Sequence, residues 1–257
     1  MDSFSTRYQR QIILQEVGET GQLKLHEAKV LVIGAGGLGC PLLQYLASAG
    51  IGTIGLVDGD MVEESNLARQ ILYTEEDLDK SKVVAAKTQL NRLNPNIKIN
   101  IYDQMLDLEL GKEIFAEYDI IVDGTDNYET RYLANDLAVI NSKPLVSGSV
   151  FRFEGQLSVF NYQGGPTYRC LFPDEDKLGF GCTDTGVIGA TTGIIGSMMA
   201  MEVIKIILEL PGVLSGKMLL YDSMSAQQMI TTFDRQPEQI VISQNKWKKD
   251  HFIHHEG

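Results

Sequence analysis

The chain has 257 residues, of which 44% are hydrophobic, and its formal net charge at pH 7 is -12. A chain of this size and composition can build one large α/β domain, or one domain with an appendage. The acidic balance argues against a nucleic-acid-binding surface, because contacts to phosphates need clustered lysine and arginine side chains.

Strand and helix patterns alternate through the first half of the chain. The hydrophobic periodicity predicts strands at 29–33, 53–57, 98–102 and 118–122, with helices near 41–49, 80–93 and 108–116. Such alternation is typical of a mostly parallel sheet with helices on both faces. After the fourth strand, Thr125, Asp126 and Asn127 supply N-cap chemistry for a helix that runs to about residue 140.

The second half of the chain has a different pattern. Strands are predicted at 145–149, 154–162, 217–221 and 227–232, and the last two are close enough to form an antiparallel hairpin. A glycine- and acid-rich loop at 172–185 and an apolar helix from about 187 to 210 separate the two strand pairs. We therefore expect a Rossmann-like α/β fold, in which a mostly parallel sheet is continued by antiparallel strands.

The sequence also predicts the compartment. The apolar run at 187–201 ends at Glu202 and is shorter than the roughly 20 residues that cross a bilayer, so we expect a buried helix and no membrane association. The N-terminus lacks a basic region followed by an apolar core, which predicts no signal peptide. The chain has three irregularly spaced cysteines, Cys40, Cys170 and Cys182. This usage suits a reducing compartment, and we expect a soluble, cytoplasmic protein.

A glycine-rich turn, Gly-Ala-Gly-Gly-Leu-Gly at 34–39, joins the first predicted strand to the first predicted helix. Asp58 then ends the second predicted strand. This order is typical of a βαβ nucleotide site, in which the glycines let the backbone approach phosphate and the acid meets ribose hydroxyls. A solvated turn remains the alternative interpretation of Asp58 and of its neighbour Asp60.

Positive charge follows that acid in the chain. The segment Ser-Asn-Leu-Ala-Arg-Gln at 65–70 contains Arg69, and Lys82 comes after it. Phosphate transfer depends largely on electrostatic positioning, so two cations here suit a triphosphate. Since a dehydrogenase does not need them, the pattern favours an enzyme that consumes a nucleotide over a hydride carrier. From chain order alone, both cations are equally well explained as solvated surface charges.

Two acids, Asp123 and Asp126, follow the fourth predicted strand. Ligands of open α/β sheets bind at the carboxyl ends of the strands, so we expect Asp126 to face the same crevice as the glycine turn. A carboxylate in that position can hold Mg²⁺ against phosphates. The alternative is that Asp126 only caps the following helix.

Five motifs occur in a characteristic order and spacing. They are Arg-Tyr-Gln-Arg-Gln at 7–11, the glycine turn at 34–39, the segment at 65–70, Lys-Val at 82–83 and Asp-Gly-Thr-Asp-Asn at 123–127. Together they resemble the ThiF/MoeB/HesA family, bacterial relatives of the ubiquitin-activating enzymes. The likeness continues through 147–148, 154–156, 168–171 and 202–205, and it covers about residues 5 to 237.

The resemblance implies an adenylyltransferase that uses ATP and Mg²⁺. Its substrate would be the C-terminal glycine of a small ubiquitin-like sulfur-carrier protein with a Gly-Gly tail, prepared for thiocarboxylate formation in the thiamine or molybdopterin pathway. The carrier's carboxylate is already ionised, so no side-chain general base is required. The two carriers share the same tail, and the sequence does not separate them.

The resemblance also assigns roles to residues at matching positions. Gly36 and Gly37 would contact the nucleotide, and Asp58 would hold its ribose. Asp126 would position Mg²⁺, while Arg10 would reach into the site of a neighbouring subunit and so require a homodimer. The phosphate-binding and nucleotide-binding set is completed by Asn66, Arg69, Gln70 and Lys82, and the catalytic set comprises Arg10, Arg69, Lys82, Asp126 and Cys182.

On this interpretation, residues 1–240 form one adenylyltransferase domain. Its first half, 1–143, would bind the nucleotide, and its mixed-sheet half, 144–240, would bind the carrier, with a charged tail at 241–257. Because no rhodanese-like domain follows residue 240, we expect the sulfur donor to be a separate protein.

Many relatives hold a structural zinc with two Cys-x-x-Cys pairs, and here this chain departs from them. The first pair is replaced by Thr-Tyr-Arg-Cys at 167–170, and the second by Glu-Gln-Ile-Val-Ile at 238–242. One thiolate cannot hold a tetrahedral zinc, so we expect no zinc site and a buried apolar role for Cys170. The remaining alternative is that tail histidines serve as ligands, namely His251, His254 and His255.

Cys182 lies in the loop Phe-Gly-Cys-Thr-Asp-Thr-Gly at 180–186. Some relatives use a cysteine at this position to form a covalent bond with the carrier. A thiol near a helix N-terminus can have a lowered pKa, which suits a nucleophile, whereas Asp184 would oppose the thiolate. A covalent role and a structural role both remain open.

Three other functions remain as alternatives. An NAD-dependent oxidoreductase explains the glycine turn and Asp58 but leaves Arg69, Lys82 and Asp126 without a role. A relative that activates a small acid on a modified tRNA base would need a basic surface, which the net charge does not indicate. A non-catalytic partner subunit is disfavoured by the complete motif set.

Overall fold

A computed structural model of the chain describes residues 6–173 and 186–247. Within these ranges the strands form a single sheet in the order β3-β2-β1-β4-β5-β6-β7-β8. The first five in that order are parallel, and β6 to β8 continue the sheet antiparallel. The strands are β1 Lys29–Ile33, β2 Thr53–Val57, β3 Lys98–Tyr102, β4 Ile120–Asp123, β5 Leu145–Phe151, β6 Glu154–Phe160, β7 Lys217–Asp222 and β8 Gln227–Thr232.

The helices of the described ranges connect these strands or flank the sheet. They are α1 Gln9–Ile12, α2 Gly18–Glu27, α3 Gly39–Ala49, α4 Lys82–Leu93, α5 Leu108–Ile114, α6 Tyr128–Ile140, α7 Tyr168–Leu171, α8 Gly189–Ile207 and α9 Pro237–Lys246. Short 3-10 turns lie at Glu64–Asn66, Glu75–Asp77 and Phe115–Glu117.

Two hydrophobic clusters cover the two faces of the sheet. One contains the buried residues of α3, α4 and α8, and the other contains those of α5, α6 and α7. Strand β1 supplies residues to both clusters, Val30 and Val32 to the first and Leu31 and Ile33 to the second. A strand buried on both faces has a continuous apolar sequence rather than an alternating one. The predicted fold class is therefore confirmed.

Helix α8 is apolar and long enough to cross a membrane by length and composition alone. It instead packs against α3, β5 and β6 in the first cluster, as expected for the buried helix predicted from the sequence. Two glycines of the sheet allow this approach, since a Cβ at Gly148 would lie 2.5 Å from Met199 Sδ and one at Gly155 would lie 2.3 Å from Ile195. Helix α8 is thus a core helix of the described structure.

Helices α1 and α2 were not predicted from hydrophobic periodicity. They are held by polar contacts to the C-terminal ends of other helices rather than by a broad apolar face. Gln11 Nε2 and Gln22 Nε2 both donate to Ala49 O, at 3.3 and 2.9 Å. Tyr8 is buried, and Asn94 Nδ2 donates to its hydroxyl at 2.8 Å. The motif at 7–11 is therefore docked at the end of α3.

Helix α9 crosses the domain boundary that the sequence suggested at residue 240. Its Ser243 is buried and accepts a hydrogen bond from Asn135 Nδ2 on α6. The following Trp247 donates from Nε1 to Asp136 Oδ2 at 3.2 Å. Residues 241–247 are therefore part of the packed structure, in contrast to the expected tail, and the remainder of that tail lies outside the described residues.

A buried ion pair anchors this C-terminal helix. Asp136 accepts two hydrogen bonds from Arg169, from Nε at 2.7 Å and from Nη2 at 2.8 Å, and both residues are buried. The Arg169 guanidinium also lies over the Tyr132 ring. Removing one partner of such a pair leaves an uncompensated buried charge and costs about 3–5 kcal/mol. The segment at 167–170 therefore contributes a buried ion pair to the packing of α7 against α6.

Cys170 itself joins α7 to the start of α9 through weak hydrogen bonds. Its sulfur accepts from the backbone N–H of Thr167 at 3.4 Å and from that of Gln236 at 3.3 Å. The thiol also lies 3.7 Å from Gln236 O. The prediction that Cys170 is buried is confirmed, although the thiol serves as an acceptor as well as an apolar group.

We expect purified protein to contain no stoichiometric zinc, and a chelator to leave its melting temperature unchanged. The reason is that hydrogen bonds occupy the junction between α7 and α9 at which Cys170 lies. Metal analysis by mass spectrometry and thermal melting with and without chelator provide the test. Cys170→Ala should lower the free energy of unfolding by about 1–3 kcal/mol, because the buried N–H of Thr167 and the partly buried N–H of Gln236 lose their acceptor. One zinc per chain, lost in that variant, would contradict this interpretation.

Candidate active site

A cavity of about 510 Å³ opens at the carboxyl ends of β1 and β4. These two strands are neighbours, with Ile33 paired to Asp123, although they are far apart in the chain. The strand order changes direction at this point, which is where open α/β sheets bind their ligands. The cavity lining includes the glycine turn, the ends of β2, β4 and β5, and the first turn of α6.

The glycine turn is shaped by close backbone contacts. Gly34 has φ of +94°, and a Cβ there would lie 3.2 Å from the backbone of Gly124. A Cβ at Gly39 would lie 2.1 Å from Gly34 O, which no side chain can accommodate. Gly36 and Gly37 line the cavity, as predicted. The turn therefore presents backbone rather than side chains at the N-terminus of α3, the arrangement that suits an anion.

Asp58 lies at the end of β2 and is largely buried. Its Oδ2 accepts from Ala35 N at 2.7 Å and its Oδ1 accepts from Asp60 N at 2.9 Å. Burial raises the pKa of Asp58 above its ordinary value, while the charge of Lys82 and these two N–H donors oppose the shift. The carboxylate thus ties the glycine turn to β2 and still lines the cavity. Asp58 is therefore not a solvated turn residue, which was the alternative interpretation from the sequence.

Lys82 begins α4 and is buried, with its Nζ 2.7 Å from Asp60 Oδ2. Both residues line the cavity. Asp60 is half exposed, so the pair lies at the cavity wall and not in the core. From the sequence, a solvated surface position was an alternative for each of these two residues. The structure instead pairs them beside Asp58. An incoming phosphate would therefore share Lys82 with a carboxylate.

The segment at 65–70 divides into a supporting part and a cavity-lining part. Asn66 Oδ1 accepts from Glu63 N at 3.3 Å and so caps the 3-10 turn; it is not among the cavity-lining residues. Arg69 does line the cavity, and its Nη1 donates to Ser65 O at 3.0 Å. Of the two phosphate ligands predicted in this segment, Arg69 lines the cavity and Asn66 does not.

Gln70 lines the cavity and is only 3% exposed. Within the described residues its Oε1 has no hydrogen-bond donor, while its Nε2 lies near Gly36. A buried acceptor without a donor costs about 1–3 kcal/mol. An unsatisfied amide beside the glycine turn fits a site completed by a ligand that donates a hydrogen bond.

The two acids after β4 have separate roles. Asp123 is fully buried, and its carboxylate accepts from Thr125 N at 3.0 Å, from Thr125 Oγ1 at 2.6 Å and from Ser147 Oγ at 2.9 Å. Asp126 is exposed and lines the cavity. The helix cap is provided by the next residue, Asn127, whose Oδ1 accepts from Thr130 N. Asp126 is therefore not the residue that caps α6, and its carboxylate is available to a ligand.

Arg131 lines the same cavity and was missed by the sequence analysis. Its Nη2 donates to Thr125 O at 2.7 Å, and its Nε has no hydrogen-bond acceptor within the described residues. The side chain also lies 5.6 Å from the Tyr128 ring centre. Arg131 lies one turn into α6 and follows the motif at 123–127 directly in the chain. Because that turn faces the cavity, this closeness to the motif was the sequence signal that could have identified Arg131 as a lining residue.

One predicted catalytic residue, Arg10, is not brought to the cavity of its own chain. Arg10 is exposed on α1, at the end of α3 opposite to the glycine turn. Helix α3 has 11 residues and separates the two by roughly 16 Å. Cys182 lies outside the described residues. Of the predicted nucleotide-binding set, the cavity of one chain is lined by every member except Asn66.

Comparison with known proteins agrees with this geometry. Residues 8–240 match the model of the ThiF family. The "Adenylyltransferase and sulfurtransferase MOCS3" of Anopheles gambiae is 53% identical over 84% of this chain and 49% of its own length. The "Sulfur carrier protein adenylyltransferase" of Thermus thermophilus is 45% identical over 90% of this chain and 88% of its own length. The chain thus spans about half the length of the MOCS3 relatives.

Solved structures show the same fold at lower identity. Escherichia coli MccB superposes with a TM-score of 0.81 at 23% identity, covering 92% of this chain and 72% of that chain. PaaA superposes with a TM-score of 0.77 at 23% identity, covering 92% and 75%. The fold, the order of the motifs in one cavity and the match over nearly the whole length lead to one conclusion: the chain belongs to the ThiF family.

Proposed function

We propose that the chain transfers AMP from ATP to the C-terminal glycine carboxylate of a small ubiquitin-like sulfur carrier. The observation that carries this proposal is the convergence of Lys82, Arg69 and Arg131 on the cavity that holds the glycine turn and Asp58. The names of the similar adenylyltransferases support the same activity. A hydride-transferring enzyme would leave these three cations without a role.

The lining residues fit a nucleoside triphosphate with a divalent cation. The glycine turn offers backbone N–H groups at a helix N-terminus, Asp58 offers a carboxylate that ribose hydroxyls can bind, and Gln70 has an unsatisfied oxygen. The exposed carboxylate of Asp126 is a hard oxygen ligand of the kind that Mg²⁺ prefers. When bound, Mg²⁺ would neutralise charge on the phosphates and orient them.

The reaction brings together two groups of the same charge. A carboxylate oxygen of the carrier forms a bond to the α-phosphorus, and the bond from that phosphorus to the bridging oxygen breaks. The electron pair of that bond leaves with pyrophosphate. Lys82, Arg69 and Arg131 offset the repulsion between carboxylate and phosphate and hold them in line, which is the main requirement of phosphate transfer.

The end of β5 fits an extended carrier tail. Strand β4 pairs with β5 only as far as Asp123 and Ser147, whereas β5 continues to Phe151. Beyond Ser147 that edge of β5 has no strand partner within the described ranges, and residues 148–151 line the cavity. An unpaired strand edge can bind an extended peptide through main-chain hydrogen bonds. A Gly-Gly tail is narrow enough to reach the α-phosphate along it.

Carrier-dependent ATP–pyrophosphate exchange, together with equilibrium binding of ATP and NAD, tests the proposal. We expect exchange to require a carrier with a free C-terminal glycine and expect ATP to bind more tightly than NAD. Tighter binding of NAD, with no exchange for either the thiamine or the molybdopterin carrier, would replace the proposal with an oxidoreductase. The carrier that supports the faster exchange identifies the pathway, and the sulfur donor is proposed to be a separate protein.

Asp126→Ala should lower the exchange rate by 100-fold or more, about 3 kcal/mol, because it removes a charged group that acts at the phosphates. The fold should stay intact, since Asp126 is exposed and makes no core contact. Glu129→Ala is the matched control, an exposed carboxylate three residues away that does not line the cavity. Near-normal exchange in Asp126→Ala would remove this residue from the mechanism.

Arg10 should act on the site of a partner subunit, because its own cavity lies at the other end of α3. Arg10→Ala and Asp126→Ala should each be inactive, and mixing them should restore about one quarter of wild-type exchange through hybrid dimers with one complete site. Native mass spectrometry verifies that the subunits have mixed. Hybrids that form but stay inactive would show that Arg10 does not act in trans.

Cys182→Ser should keep pyrophosphate exchange within a few fold, because adenylylation needs only the carboxylate, ATP, Mg²⁺ and the cations. If the thiol forms a covalent bond with the carrier, a reducible protein–carrier adduct should form with wild type and disappear in the variant. Denaturing electrophoresis with and without reductant makes the comparison. An adduct that persists in Cys182→Ser, or that moves to Cys170, would leave Cys182 a structural residue.

A further inference from the structure

Tyr73 follows the segment at 65–70 in the chain, and its side chain reaches the glycine turn from the core. The residue is buried and is not among those that line the cavity. Its hydroxyl donates to Ala35 O at 2.8 Å, and its backbone N–H donates to Gln70 O at 3.1 Å. One tyrosine therefore joins the glycine turn to the segment that carries Arg69 and Gln70, without lining the cavity itself.

The backbone of Ala35 is held on both sides. Ala35 is fully buried, and its N–H donates to Asp58 Oδ2 at 2.7 Å. Its carbonyl accepts from the Tyr73 hydroxyl and, more weakly, from Cys40 Sγ at 3.4 Å. Burial raises the pKa of Tyr73, and the nearby Cys40 and Asp58 raise it further. Burial also raises the pKa of Cys40, to about 12. Both groups therefore stay protonated at neutral pH and remain donors to this carbonyl.

The direction of the Ala35 carbonyl determines the direction of the next N–H. Ala35 O and Gly36 N–H belong to one peptide unit, and every peptide bond of the described residues is trans. In a trans unit the C=O and N–H bonds point in opposite directions. Because Ala35 O points into the core at Tyr73, Gly36 N–H points outward, and Gly36 lines the cavity. Within residues 6–173 and 186–247 this N–H has no acceptor, so it is free to bind a ligand.

Gly36 differs from the other two glycines of the motif in what surrounds it. A Cβ at Gly34 or Gly39 would lie 3.2 or 2.1 Å from backbone atoms. A Cβ at Gly36 would meet only Gln70 Nε2, at 3.8 Å, which is an ordinary van der Waals distance. The packing of the described residues therefore does not require glycine at this position. The middle glycine of such a turn lets a phosphate approach the backbone, and the open space beside Gly36 suits that use.

We propose that Tyr73 is a positioning residue, whose hydroxyl holds the Ala35 carbonyl in the core and thereby directs the Gly36 N–H at a phosphate of the bound nucleotide. This inference rests on the proposed nucleotide-binding function. A phenylalanine at this position keeps the ring and its packing but leaves Ala35 O with the weak thiol donor alone. The shared peptide unit is then less restrained, and the Gly36 N–H spends less time directed at the cavity.

Tyr73→Phe separates positioning from packing, because a misdirected Gly36 N–H affects only ligands that carry phosphate. Isothermal titration should show an affinity for ATP that is about 10-fold lower than in wild type, as expected for a hydrogen bond to a charged group. The affinity for adenosine should change by less than about twofold on the same grounds. In pyrophosphate exchange, KM for ATP should rise by a similar factor while kcat is kept, because the hydrogen bond is present before and during phosphate transfer.

Tyr118→Phe is the matched control. Tyr118 is buried, and its hydroxyl accepts from Asn100 Nδ2 at 3.2 Å. It precedes β4, at the end of the sheet opposite to the cavity, and it does not line the cavity. The control should bind ATP like wild type. Cys40→Ala, which removes the weaker donor to Ala35 O, should lower the affinity for ATP by a smaller factor than Tyr73→Phe and spare adenosine. Melting curves verify that the variants are folded.

The outcomes separate this inference from the proposed function. A loss of affinity for ATP in Tyr73→Phe that spares adenosine supports it. Equal losses for both ligands, or an unchanged affinity for ATP, would overturn it and make Tyr73 a packing residue. If Tyr73→Phe does not fold, Cys40→Ala decides, since a loss confined to ATP supports the inference and its absence overturns it. A wild-type protein that binds NAD and not ATP would count against the proposed function, and the comparison of NAD with adenosine would still decide the role of Tyr73.

Discussion

The contact between the loops that follow β1 and β4 is the constraint on which the rest of the site depends. Gly34 and Gly124 meet backbone to backbone, and a Cβ at Gly34 would lie 3.2 Å from Gly124. This contact leaves no room for side chains at the base of the cavity, and it sets the separation between the glycine turn and the Asp126 loop. All the charged groups of the site are arranged around a space whose dimensions the backbone determines.

Two buried carboxylates hold those loops in place. Asp58 binds the N–H groups of Ala35 and Asp60, and Asp123 binds Thr125 and Ser147. A buried carboxylate is tolerated only when hydrogen-bond donors surround it, so each acid stabilises one particular loop conformation. The cations have fewer partners: Arg69 and Arg131 each donate one hydrogen bond to a backbone carbonyl, Arg131 Nε lies 3.9 Å from Asp123 Oδ2, and Lys82 contacts a half-exposed acid. The acids thus fix the conformation of the loops, while the cations have N–H groups left to donate to a ligand.

The sequence predicted the sheet and the cavity-forming turns because their signals are local. The apolar strands, the glycine turn and Asp58 each follow from a short pattern that the backbone geometry demands. Arg131 was missed, and Asn66 was assigned to the phosphates by resemblance alone. In both cases the position of the side chain depends on which side of a turn faces the cavity, and the sequence does not show this. The pairing of Lys82 with Asp60 joins residues 22 positions apart, which no local pattern reports. The docking of α1 and α9 uses hydrogen bonds over still longer separations, 38 residues for Gln11 and 108 for Ser243.

The chain has one tryptophan, and its indole N–H binds the buried ion pair of Asp136 and Arg169. Indole fluorescence responds to a nearby carboxylate and to solvent, so the tryptophan emission of this protein should report the seating of α9. Undocking of the C-terminal helix would therefore be visible as a spectral change separate from global unfolding followed by circular dichroism. The junction between α7 and α9 therefore carries its own optical reporter.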